Sequence, residues 1–65
     1  MKSEIVYERP TQLLKVTDVA TALRVSKAFV YKLIRNREIP SVQILGAKRI
    51  RQADLDNYIN NNLVD

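Results

Sequence analysis

Two apolar repeats at helical spacing, Val19-Ala20-Leu23 and Val30-Leu33-Ile34, mark two helices separated by almost nothing: Arg24 and Val25, then Ser26 as a capping residue. That seam constrains the fold more than any other feature. Two helices joined so tightly cross at a steep angle instead of running back antiparallel, and Val25 points into the angle between them. The first helix is expected over 17–23, with Thr17 accepting from the first-turn amides and Asp18 at the positive end of the dipole. The second is expected over 27–36, capped by Ser26 and ended by Asn36 or Arg37 in the left-handed region.

Pro40 stops any further helix. After it, Ser41-Val42-Gln43-Ile44-Leu45 alternates polar and apolar residues, followed by Gly46, the only glycine, and Ala47-Lys48-Arg49-Ile50-Arg51. This predicts a β-hairpin over 42–51 with Gly46 supplying a positive φ at the turn. Val42, Ile44 and Ile50 are expected to face inward, with Lys48, Arg49 and Arg51 outward or at the tip. Leu55, Tyr58, Ile59 and Leu63 predict a third helix over 52–61. The fold class is therefore mainly α with a small β-hairpin. Residues 1–12 are read as an arm, loose or laid on the body, with Ile5 to Tyr7 able to add a short strand. Residues 13–62 form the domain and 63–65 a tail.

A domain of 65 residues buries only about 60% of the surface its unfolded chain exposes, so the core must be thin. The sequence has neither cysteine nor histidine. Without a thiolate or an imidazole there is no disulfide, no usual zinc site, and no Cys/His dyad or Ser-His-Asp triad. No cofactor is expected, and an enzyme is the most distant reading. No apolar run reaches the ~20 residues needed to cross a bilayer, and the acids of the first ten residues do not suit a signal peptide, so a cytoplasmic protein is expected.

The net charge of +4 is modest, but it is unevenly placed. Residues 1–23 balance to zero and 52–65 carry −3, whereas 24–51 hold eight bases against Glu38 alone, a net +7. A solvated surface is the ordinary use of such a run, but one acid among nine charges favours a polyanionic partner.

A second helix that exposes a basic and polar face can enter the major groove of DNA, with its first turns nearest the base edges. That face comprises Lys27, Ala28, Tyr31, Lys32 and Arg35. Lys27 suits guanine O6 or N7, and Ala28 a thymine methyl. Tyr31 and Lys32 suit base or phosphate, and Arg24 and Arg35 suit phosphates. The hairpin tip, Gly46-Ala47-Lys48-Arg49, can follow the backbone or enter the adjacent minor groove. Its alternative use is an edge kept from aggregating by charge. With Ser26 and Arg51, these residues form the candidate DNA-binding set.

Leu13 to Ile59, nearly three quarters of the chain, resembles the excisionase-type, MerR-like winged helix-turn-helix domains of phages and conjugative transposons. The resemblance rests on Ala20, Leu23, Val25-Ser26, Val30-Tyr31, Leu33-Ile34, Ile39-Pro40, Gly46, Arg49-Ile50, Asp54-Leu55 and Tyr58-Ile59, in that order. Val6-Tyr7-Glu8-Arg9 also resembles the arm of some transposon excisionases. The chain departs from the family pattern at three positions. Asp18 or Val19 stands where the family has glutamate, Phe29 where it has threonine, and Arg37 where it has glycine. Phe29 either fills a gap beneath the hairpin or forms an exposed patch.

The resemblance implies that the helix after Ser26 reads the major groove and that the hairpin is the wing. It also implies a protein that does no chemistry. Such a protein binds repeated sites side by side with further copies of itself, bends the DNA and helps a tyrosine integrase excise a mobile element. A small transcriptional regulator with the same domain, or an adaptor that binds another protein, are the alternatives.

Overall fold

A computed structural model describes residues 12–64. The expected arm over 1–12, with its possible strand at Ile5 to Tyr7, lies almost wholly outside the described residues. In chain order the elements are β1 (Leu13–Lys15), α1 (Val16–Leu23), α2 (Lys27–Arg35), β2 (Val42–Ile44), β3 (Ala47–Arg51) and α3 (Gln52–Asn61). The three strands form one antiparallel sheet in the order β1-β3-β2. Three helices and a three-stranded wing sheet make this a winged helix-turn-helix.

β1 was not expected. Leu13, Leu14 and Lys15 pair with Arg51, Ile50 and Arg49, so β3 is the central strand and not one arm of an isolated hairpin. Three residues are too few to show alternation, and the pairing is supplied by a strand more than thirty positions away. β1 also moves the start of α1. Val16 opens the helix, and Lys15, still extended, is its cap residue. The side chain of Asp18 accepts the Lys15 backbone N–H at 3.0 Å. Thr17 is therefore inside the first turn and is not the cap. Asp18 is near the positive end of the dipole, as expected, but its main local role is to satisfy the amide where strand becomes helix.

α1 and α2 end in the same way. Val25 N–H donates to Ala20 O at 3.0 Å and Arg24 N–H to Thr21 O at 3.2 Å. Glu38 N–H donates to Leu33 O at 2.9 Å and Arg37 N–H to Ile34 O at 3.0 Å. Both are Schellman closures, in which the residue after the helix turns left-handed. Here both such residues are arginines, with φ of 60° at Arg24 and 61° at Arg37. For a side-chain-bearing residue this backbone costs about 1–2 kcal/mol, a cost that glycine avoids.

Ser26 caps α2 as expected, its hydroxyl accepting the Phe29 N–H at 3.1 Å. The helix ends one residue earlier than its spacing implied, at Arg35. The core gathers Val16, Val19 and Ala20 from α1, Val30 and Leu33 from α2, and Leu55 from α3. Ile39 and Ile50, each fully buried, close it from the loop and the sheet. Leu14, Leu23, Val25, Ile34 and Tyr58 pack around it.

The hairpin register corrects the expected inward set. Val42 pairs with Arg49 and Ile44 with Ala47, and cross-strand partners share a face. Ile50 lies one residue from Arg49 and therefore faces the other way. Ile50 is buried, whereas Val42 is half-buried and Ile44 is 46% exposed. The turn residues are Leu45 and Gly46, with φ of 52° and 82°, and Ala47 already belongs to β3. On α3, Leu55 is buried and Tyr58 partly so, but Ile59 lies on the surface, as does Leu63 beyond the helix end. A core this thin has no room for the last turn.

Candidate nucleic-acid interface

α2 has one buried side. With Val30 and Leu33 inward and Ile34 partly so, a helix advancing about 100° per residue directs Ala28 straight outward, flanked by Arg35 and Lys32. Tyr31 and Lys27 follow on the flank toward the hairpin. All five side chains are exposed. Arg24, also exposed, occupies the left-handed position just before Val25 and Ser26, beside the amino end of α2.

Between α2 and the hairpin runs a groove. Its larger part, about 600 Å³, is lined by Tyr31, Ile34, Arg35, Arg37, Ile39, Pro40, Ser41 and Lys48. A second part, about 340 Å³, is lined by Lys15, Val16, Thr17, Lys27, Tyr31, Gly46, Ala47, Lys48 and Arg49. Tyr31 and Lys48 line both parts, so the two hollows adjoin, with a phenol on one wall and an ammonium on the other. The walls carry cations from β1, α2, the loop after α2, and β3, and no carboxylate lines either part. A groove with cationic walls suits a polyanionic strand.

Lys15 is the member that the sequence reading missed. It sits in the charge-neutral segment, and only the β1–β3 register, which sets it against Arg49, brings it to the groove. Arg37 is a second addition, and its signal was available in the sequence: a charged residue where the resembling family has glycine.

Arg51 is placed differently from the other candidates. Its Nε donates to Asp54 Oδ2 at 2.6 Å and its Nη2 to Asp54 Oδ1 at 3.1 Å. Asp54 is itself buried. The hydrogen bond and then the charge of Asp54 raise the Arg51 pKa above its ordinary value. Arg51, like Arg24, Ser26, Ala28 and Lys32, lines neither part of the groove, but among the described residues it alone of these is held by an ion pair.

Phe29 does not fill a gap beneath the wing. It lies two residues from Tyr31, about 160° around the helix in the direction away from the hairpin. It is 39% exposed and stands apart from the core. Among the described residues, no group of three or more His, Cys, Asp or Glu side chains could hold a metal ion. No described helix is long and apolar enough to cross a membrane.

A winged helix-turn-helix whose second helix shows a basic face beside a cationic groove is a DNA-binding domain. Residues 13–63 match the family model described as "Helix-turn-helix domain", and the chain belongs to that family. Among its relatives is an excisionase of Streptomyces ambofaciens, 36% identical over 52 residues, which span 80% of this chain and 84% of that protein. A Mycobacterium tuberculosis protein named "Putative DNA-binding protein Rv0500A" is 36% identical over 55 residues, covering 85% of this chain and 70% of that one.

Proposed function

We propose that the chain is a recombination directionality factor of the excisionase type. It binds a specific duplex site, bends it, and assists a tyrosine integrase in excising a mobile element. Lys27 and Ala28 in the first turn of α2 meet base edges in the major groove, with Tyr31 and Lys32 a turn further along. Arg24, Arg35, Lys48 and Arg49 hold phosphates and set the register. Lys15 and Arg37 join them. The observation that carries this reading is the pair of adjoining hollows between α2 and the wing, whose cations come from four separate segments and which lie beside the exposed face of α2. The relative named an excisionase supports the finer assignment.

The role requires no chemistry from the chain. Bending 20 to 30 base pairs by 40 to 90° costs about 1–6 kcal/mol, and copies bound side by side on repeated sites can share that cost.

Footprinting across the ends of the host element, followed by titration of the protected site at several salt concentrations, tests the proposal. About six phosphate contacts predict a log-log salt slope near −5. A slope near zero on that DNA would remove the DNA reading. Unchanged integrase-dependent excision in the protein's absence would remove the excisionase role and leave a regulator.

A further inference from the structure

Three non-glycine residues among the described ones hold a left-handed backbone: Arg24, Arg37 and Leu45. The arginines close α1 and α2, and each puts a cation at an end of α2. Leu45 closes no helix. It is the first central residue of the two-residue hairpin turn, with Gly46 as the second, a position where asparagine, aspartate or glycine is usual because each tolerates this backbone. Its side chain is fully exposed at 102%. Leucine therefore gains neither burial nor backbone comfort there, and strain held at an exposed position points to a use outside the fold.

The surroundings of Leu45 indicate that use. Ile44, beside it, is 46% exposed, and Ala47 lies across the turn from Ile44. The tip is thus entirely apolar. Immediately behind it come Lys48 and Arg49, with Lys15 opposite Arg49. Proteins that kink DNA from the minor groove frequently combine the same two parts, basic side chains in the groove and an apolar wedge between base steps.

We propose that Leu45 is a wedge. With the wing in the minor groove, the side chain presses between adjacent base pairs, partly unstacks them and bends the duplex. Pyrimidine–purine steps unstack most easily, so the step it takes is of that kind, with T-A as one instance. This rests on the DNA-binding reading and adds to it a residue that bends and a step that is bent.

The test uses two end-labelled duplexes of about 30 base pairs at low salt, one alternating d(T-A) and one with all adenines on one strand. Their minor grooves offer the same atoms, but only the first contains T-A steps. Energy transfer between the ends reports bending, and a salt titration reports binding. The native protein should shorten the end-to-end distance of the alternating duplex more than that of the other. L45N, which suits the turn better, should bind about tenfold more weakly with the same salt slope and leave the duplex as straight as free DNA. L45M keeps the apolar bulk and should bend it.

Bending by L45N equal to that of the native protein, or binding by the native protein without bending, overturns the wedge and leaves the DNA-binding reading intact. Failure of the native protein to bind either duplex at low salt, where phosphate contacts alone should hold it whatever the sequence, overturns both.

Discussion

Lys15 and Arg49 are Cα partners across β1 and β3, although 34 positions separate them in the chain. Their pairing joins a neutral segment to the basic wing at the point where strand becomes helix. One consequence is that the amino end of α1 opens into the groove.

Lys15→Ala should therefore weaken DNA binding as a phosphate contact does. The loss should be similar across sequences, and the salt slope should become shallower by about 0.9. Lys15 caps α1 only through its backbone amide, so the urea midpoint should hold. An unchanged slope would place Lys15 outside the interface.

Arg37→Gly addresses the left-handed residue after α2. Glycine relieves a backbone strain of about 1–2 kcal/mol and gives back part of it as unfolded-state entropy. The net gain should be about 1 kcal/mol, or about 4–8 °C in Tm for a domain of this size. Because Arg37 lines the groove, the same variant should bind DNA more weakly. A less stable variant would mean that the arginine side chain holds the loop together.

The helices and the hairpin were legible because each leaves a local pattern. Apolar spacing marked α1, α2 and the first turns of α3, Ser26 marked a cap, and Gly46 marked a turn. β1 was illegible for the opposite reason: Leu13-Leu14-Lys15 has no period of its own, and its partner lies at the far end of the hairpin. The error at Val42 and Ile44 arose from the same source, since alternation gives the two faces of a strand but only the register says which is covered. Most of the candidate site was readable from charge, whereas Lys15 required the sheet, and the capture of Arg51 by Asp54 required the turn from β3 into α3.

Arg51→Ala should then behave as a change in the fold and not in the interface. With both of its bonds to Asp54 lost, the urea midpoint should fall while the salt slope of DNA binding stays the same. The raised pKa of Arg51 means that its contribution is fully present below the unfolded-state value and is lost only as pH rises past the folded one. That window lies far above neutrality, so the effect of the substitution should not vary with pH near neutrality. A slope shallower by about 0.9 would instead make Arg51 a phosphate contact.

Phe29→Ala removes an aromatic ring from the surface. Buried phenylalanines cost about 3–5 kcal/mol on truncation, and this one, apart from the core, should cost less than about 1.5 kcal/mol. DNA affinity should stay within about twofold, because the ring is turned away from the wing. If a second protein docks on this face, pull-down of that protein should be lost in the same variant. A large fall in DNA affinity would extend the DNA interface to this flank of α2.

Lys27→Ala and Lys48→Ala separate base reading from anchoring. Lys27 is exposed in the first turn of α2, where a helix in the major groove comes nearest the base edges. Lys48 lies on the wing wall, opposite Tyr31 in both parts of the groove. Loss of a base contact removes discrimination at one position, worth about 1–3 kcal/mol, and leaves other sites nearly as tightly bound. Loss of a phosphate contact lowers affinity for every duplex and makes the salt slope shallower by about 0.9. Binding to a library of single-base variants of the footprinted site should therefore flatten at one position for Lys27→Ala and shift uniformly for Lys48→Ala. If the two profiles were exchanged, the wing would be the reader and α2 the anchor.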